Sequence, residues 1–306
     1  MAIKIYDMQF VKTVADIFET RQHFFRTFGG SLQTAAGAEY NPDFLKIKTS
    51  PTDVVIQDYS TDPNVAFESG TSNSNRFGPR HEIKSTDASV QYDKPLAIHE
   101  GVDRFTVNDN ANQVISERAG LHAIEWIEQL NQYMSKKLSE NAGKTLTTTM
   151  DEEGITKLFY EARKEMINNK VSRNITWMAY VTPEVYNILI DSKLATTAKN
   201  SSANVDAQTL YQFKGFVLEE LPEQYFQKGE VAIFVPDNIG VIALGLETYR
   251  VIDSADFNGV AIQGAGKTAS YIPEKNKKAI IKVKASNSKP ANNKPASGGE
   301  TGTGDK

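Results

Sequence analysis

The stretch AIQGAGKT, Ala261–Thr268, has a small residue followed by Gly-Lys-Thr at the permissive spacing of a phosphate-binding loop. Read that way, it would make the chain a nucleotide-binding enzyme. A working loop needs a strand before it, glycines that turn several N–H groups inward, and a helix whose N-terminus faces the phosphates. Here the first position is Ala261 rather than glycine, and only Ala269, Ser270, Tyr271 and Ile272 separate Thr268 from Pro273. Proline removes a donor and pushes its predecessor into extended geometry, so no helix opens there. The expectation is a glycine turn between strands at Gly259–Gln263 and Ala279–Lys284, with Lys267 meeting no phosphate.

Composition sets the outer limits. At 306 residues and 40% hydrophobic content the chain suits one large or two ordinary soluble domains. Its 34 Lys+Arg against 38 Asp+Glu leave a net charge of -4, so any contact with nucleic acid has to be local. The absence of cysteine excludes disulfides, thiolate zinc sites and a cysteine nucleophile. No apolar run approaches the roughly 18 residues of a membrane span, and MAIKIYDMQF lacks the apolar centre of a signal peptide. The expected place of synthesis is the cytosol of the producing cell.

Outward from the opening stretch, periodicity divides the chain. From Asp7 to Gly29, Phe10, Val14, Ile17, Phe18, Phe24, Phe25 and Phe28 recur at helical spacing, predicting an amphipathic N-terminal arm that docks on its own core or on another subunit. Phe44–Tyr59 and Glu82–Val107 read as strands, broken at Pro51 and Pro95. The polar link Ser60–Arg80 between them makes a hairpin too poor in apolar surface to stand alone. NDNAN, Asn108–Asn112, offers N-caps for a long helix with Gly143 as its C′ cap residue, and with a stripe at Leu121, Ile124, Ile127, Leu130, Met134 and Leu138. A second helix spans Asp151–Asn169, with three acids at its positive end. A strand follows at Ile175–Val181, and Thr182-Pro183 starts a short helix to Asp191. After a polar loop, Thr196–Asp206, come strands at Phe213–Leu221, Glu230–Val235, Gly240–Leu246 and Tyr249–Ile252. Residues 286–306 carry no large apolar side chain, and disorder is expected for them.

Chemistry-bearing groups are sparse. His23, His81, His99 and His122 stand at no metal-ligand spacing; His99-Glu100 with Asp103 comes nearest, but on a strand His99 and Glu100 face opposite ways. No Gly-x-Ser-x-Gly elbow occurs. Glu161, Arg163, Lys164 and Glu165 read as a solvated helix face, and His23-Phe24-Phe25-Arg26 as packing rather than a base-stacking platform. No catalytic, cofactor-binding or metal-binding residue is assigned, and no cofactor is expected.

The order of parts resembles the major capsid proteins of tailed bacteriophages, the α+β Hong Kong 97-type shell fold. PDNIGVIALGLETYRVIDSADFNGVAIQGAGKTASYIPEKNKKAI, Pro236–Ile280, is similar to the end of such proteins from phages of Gram-positive hosts. The resemblance implies an N-terminal arm (1–30), peripheral-domain strands (31–107) with an extended loop at about 44–93, a spine helix (108–143), an axial domain (144–250), a return to the peripheral domain (251–285) and a tail (286–306). It implies a non-enzymatic head protein that self-assembles, as pentamers and hexamers, into an icosahedral virion shell around double-stranded DNA held without sequence recognition. The arm begins almost at Met1, so a separate scaffolding protein is implied, together with a portal; no membrane partner is. The resemblance singles out no crosslinking pair, and Lys84 lies on the loop only by position. Two rivals stand beside this reading: an encapsulin-like compartment with the same fold, and the phosphate-loop enzyme.

Overall fold

The computed structural model describes residues 4–5, 22–30, 33–34, 43–49, 54–62, 65, 75–105, 111–192, 203–204 and 209–286. Most of the expected helical arm (7–21), the caps at 108–110, most of the loop at 196–206 and the tail beyond Ser286 lie outside these residues. The elements are β1 (Lys4–Ile5), β2 (Gln33–Thr34), β3 (Asp43–Thr49), β4 (Thr86–Gln91), β5 (Leu96–Asp103), α1 (Ala111–Glu140), β6 (Lys144–Thr148), α2 (Glu152–Asn168), β7 (Trp177–Val181), α3 (Pro183–Asp191), β8 (Ala203–Asn204), β9 (Thr209–Leu210), β10 (Gln212–Phe213), β11 (Phe216–Glu220), β12 (Glu230–Pro236), β13 (Val241–Asp253), β14 (Gly259–Tyr271), α4 (Glu274–Lys277) and β15 (Ile281–Ala285). They fall into two compact units, both interrupted in sequence: the first is Met1–Val11, Gln33–Ser116 and Ile242–Tyr271, and the second is Lys12–Leu32, Glu117–Val241 and Ile272–Lys306.

The first unit holds a sheet in the order β1-β13-β14-β5, with β2 also on β13, and the separate ribbon β3–β4. The opening stretch lies inside it. AIQGAGKT is part of β14, a strand of 13 residues that pairs antiparallel with β5 from Gly259↔Asp103 to Gly266↔Leu96. This overturns both the phosphate loop and the expected glycine turn. The glycines serve close approach rather than turning: a Cβ on Gly264 would stand 3.1 Å from the Tyr249 ring, and one on Gly259 only 2.0 Å from the Val102 carbonyl oxygen. The strands expected at Gly240–Leu246 and Tyr249–Ile252 are likewise a single one, β13.

The second unit is built on a six-stranded sheet, β10-β11-β7-β12-β15-β6. Its central strands β7 (WMAYV) and β12 (EVAIFVP) are buried at every position, which is why they read as continuous apolar runs. β11 runs parallel to β7, and β15 parallel to β6, while β12 is antiparallel to both β7 and β15. α2 packs Phe159 into this sheet, its ring 4.9–5.1 Å from those of Phe234 and Phe213 in edge-on geometry. The helix starts where expected: the Asp151 carboxylate accepts from the Gly154 N–H at 2.7 Å, and Glu152 and Glu153 fill the first turn. α3 begins at Pro183 as anticipated, but Thr182 does not cap it; its hydroxyl is buried with no partner among the described residues.

Two expectations about α1 need correction. Its buried face runs through His122, Ala123, Trp126, Ile127, Leu130, Met134 and Leu138, while Leu121 and Ile124 are 51% and 39% exposed. Apolar spacing fits two neighbouring stripes on the first turns, and Trp126 selects the other one. Gly143 is no left-handed cap, since it is not among the glycines with positive φ; it is small because a Cβ would meet the Lys277 carbonyl oxygen at 2.6 Å. The boundary expected at 250/251 falls inside β13. β13 belongs wholly to the first sheet, whereas β15 pairs with β12 and β6 and so returns residues 272–285 to the second unit, in which α1 groups from Glu117 onward.

Candidate assembly interface

β3 and β4 pair antiparallel from Asp43↔Gln91 to Thr49↔Thr86, with an irregularity between Asp43 and Leu45. The ladder stops there. The strand expected to reach Tyr59 ends at Thr49, and the one expected from Glu82 starts at Thr86. Beyond the ladder the two arms hold each other by side chains and isolated backbone bonds. Ser60 N–H donates to the Arg76 carbonyl at 2.9 Å, the Gln57 amide donates to the Pro79 carbonyl at 2.9 Å, and the Tyr59 and Phe77 rings meet edge-on at 5.1 Å. Arg76 reaches the Val65 carbonyl at 3.1 Å.

These arms turn apolar side chains to solvent. Val54 is 93% exposed, Ile56 94%, Phe77 76% and Ile83 80%. Burying such groups is worth about 1.5–3 kcal/mol each, so an extended segment that exposes four of them is a candidate interaction surface. Val54, Val55 and Ile56 fall in the strand expected at Phe44–Tyr59, and Phe77 in the link expected to be polar. The available signal was Val-Val-Ile in a row without alternation, which no half-buried strand should carry.

The other singled-out residues fall elsewhere. Lys267 lies on β14 near the half-buried Tyr92, whose phenol burial raises in pKa. His99 Nε2 is 3.4 Å from Gln263, and Asp103 instead accepts from the Phe105 N–H. His81 is exposed and His122 buried, and Lys84 lies 3.6 Å from Glu82. Of the presumed solvated face on α2, Arg163 donates to the Lys214 carbonyl and Glu165 meets Lys144 at 3.3 Å.

His23-Phe24-Phe25-Arg26 leads into a short 3-10 turn, Arg26–Phe28, docked on the second unit. Phe24 is fully buried against Tyr180, ring to ring at 4.5 Å, and the Tyr180 hydroxyl bonds to both Thr27 Oγ1 and the His23 carbonyl. Burial pushes the Tyr180 phenol far above its ordinary pKa. His23 Nδ1 lies 2.8 Å from Glu219, and Arg26 grips both oxygens of Asp237, a hydrogen bond that raises the guanidinium pKa. The described end of the arm therefore docks on its own chain, and Phe24 has no face left for a base. Among the described residues no helix is long and apolar enough to cross a membrane.

No family model and no curated protein matches the chain. Solved structures do. A chain from the asymmetric unit of the bacteriophage PhiM1 mature capsid superimposes with a TM-score of 0.62 at 11% identity, covering 88% of each chain. The capsid structure of the cyanophage P-SCSP1u gives 0.62 at 11% identity over 88% and 89%, and a structure of Mycobacterium phage Che8 gives 0.58 at 16% over 92% of both. Matches that span nearly the whole of both chains define the class: this is an α+β chain with the Hong Kong 97-type shell fold.

Proposed function

We propose that the chain is the major capsid protein of a tailed phage, a structural, non-enzymatic subunit that assembles into an icosahedral shell around the phage genome. The carrying observation is end-to-end likeness to phage capsid chains, with 88% of this chain and 88% of the PhiM1 chain aligned. Insertion of an enzyme domain would have broken that coverage. In this reading the unit built on the six-stranded sheet is the axial part that gathers in pentamers and hexamers, and the first unit is the peripheral part. Residues 43–93 are the arm that lies on a neighbouring subunit, where Val54, Ile56, Phe77 and Ile83 find cover. The heterologous contacts close into rings and then a shell. A separate scaffolding protein, a portal and double-stranded DNA are its partners, the virion its destination and the host cytoplasm its place of synthesis. An encapsulin-like compartment is the weaker alternative, since the three structures named above come from phages. Electron microscopy of the overexpressed chain tests the proposal: closed shells or capsomer rings are expected, and a protein that stays monomeric under all assembly conditions contradicts it. Nucleic acid in particles from infected cells separates a genome shell from a protein-filled one.

A further inference from the structure

We infer that the second unit carries a lysine-rich corner that grips the phosphate backbone of double-stranded DNA without reading its sequence; the inference rests on the shell reading above and names the surface that meets the genome. Three distant stretches build it. α2 and the loop after it supply Lys164, Lys170 and Arg173, the turn at α4 supplies Lys275, Lys277 and Lys278, and β6 opens with Lys144. Backbone contacts fix them together. The Asn169 side-chain amide donates to the Lys278 carbonyl at 2.9 Å, and Gly143 N–H donates towards the Lys277 and Ile280 carbonyls at 2.9 and 3.0 Å. Glycine at 143 is what lets the strand start so close to that turn, because a Cβ there would stand 2.6 Å from the Lys277 oxygen.

Two carboxylates of the corner are met from within, Glu165 by Lys144 at 3.3 Å and Glu274 by Lys277. Lys164, Lys170, Arg173, Lys275 and Lys278 are all exposed. In a chain of net charge -4, a local surplus of positive charge means that the remaining surface is more acidic than the total suggests. It is also the local patch that composition demanded of any nucleic-acid contact, and it has no local signature in the sequence because the α4 lysines lie more than a hundred residues from the rest.

The chemistry selects phosphate. Lysines on flexible stems act as point charges, which suits a duplex with a charge about every 1.7 Å along its axis. Base reading wants arginine, asparagine or glutamine forks, and the corner has a single arginine. The competing partner is an acidic protein surface, but lysine is depleted from protein interfaces, whose centres are aromatic or aliphatic.

Fluorescence anisotropy of a labelled short duplex of mixed sequence, titrated with the full-length protein between about 50 and 200 mM salt, tests this. Wild type should bind with affinity falling steeply with salt, and Lys170→Gln/Arg173→Gln/Lys278→Gln should lower the log–log slope by about 2.7, at roughly 0.9 per lost phosphate contact. Lys136→Gln/Lys214→Gln/Lys228→Gln removes as much charge elsewhere and should move the slope by less than about 1. Equal slopes in the two variants, or no binding by wild type at low salt, overturn the inference. So does a corner variant with wild-type DNA binding but no shells, which would make the corner a protein contact. Failure of the wild type to form shells at all would strike the capsid reading instead, independently of the DNA titration.

Discussion

Gly259 and Gly264 show how one residue type can mislead. In sequence, glycines beside a lysine and a threonine suggest phosphate binding or a turn; in the fold they let β14 run close under the Tyr249 ring and the Val102 carbonyl. Gly259→Ala should therefore destabilise the first unit by about 2–3 kcal/mol, because the obstacle is backbone that cannot rotate away. Gly120→Ala, in α1 with open space around its would-be Cβ, should stabilise by about 0.5–1 kcal/mol. Denaturant melts of the two variants check both signs. Lys267→Ala should change stability by less than about 0.5 kcal/mol and leave no nucleotide affinity to lose; micromolar ATP binding abolished by the substitution would contradict the strand assignment. Tyr180 adds a pH dependence. Its folded-state pKa is raised above 10.0, so the unfolded chain ionises first and stability, intact below about pH 10, falls as pH rises beyond it. Tyr180→Phe should flatten that alkaline decline in thermal melts, while costing about 1–2 kcal/mol at neutral pH for the lost bonds to Thr27 and His23.

Among the elements, α2 was legible nearly to the residue because its determinants are local: an Asp151 cap, two acids in the first turn and an apolar period of 3.6. α1 was legible in extent but not in face, since two stripes compete and only the packing of Trp126 decides. Its attachment was not legible at all. Ser139 donates to the buried Glu230 carboxylate, which Lys282 approaches at 3.8 Å while also donating to the Ser139 carbonyl at 3.1 Å. Nothing local in the sequence pairs those three positions. Lys282→Met should cost about 3 kcal/mol by leaving Glu230 buried without its cation, and Lys282→Met with Glu230→Leu should recover much of the loss; equal loss in single and double variants in a denaturation cycle would show that the pair contributes only packing. The β3–β4 arm was half legible: its existence followed from two β-rich runs around a polar link, but its ladder is shorter than those runs, and Val-Val-Ile without alternation was the local sign that residues 54–56 leave it. Replacing residues 60–80 by Asn-Gly should leave circular dichroism and solubility normal and yield few or no closed shells in micrographs. Wild-type-like shells from that variant would remove the arm from assembly.

For the whole molecule, the fold class was legible from the order of parts, whereas the interleaving was not. The chain leaves the first unit at Ser116, re-enters it at Ile242 and leaves it again at Tyr271, because β15 completes a sheet begun by β6 more than a hundred residues earlier. Long-range parallel pairing of this kind has no local signature. In the single chain Val54, Ile56, Phe77 and Ile83 stay exposed, and in the proposed shell another copy covers them. The central claim is that this other copy is the same chain in a closed lattice. Three-dimensional reconstruction of purified particles by electron cryomicroscopy tests it most directly. The account predicts an icosahedral shell of pentamers and hexamers in which residues 54–85 lie against a neighbouring subunit, with those four side chains covered; particles without a closed lattice, or shells in which that segment folds back on its own subunit, would contradict it.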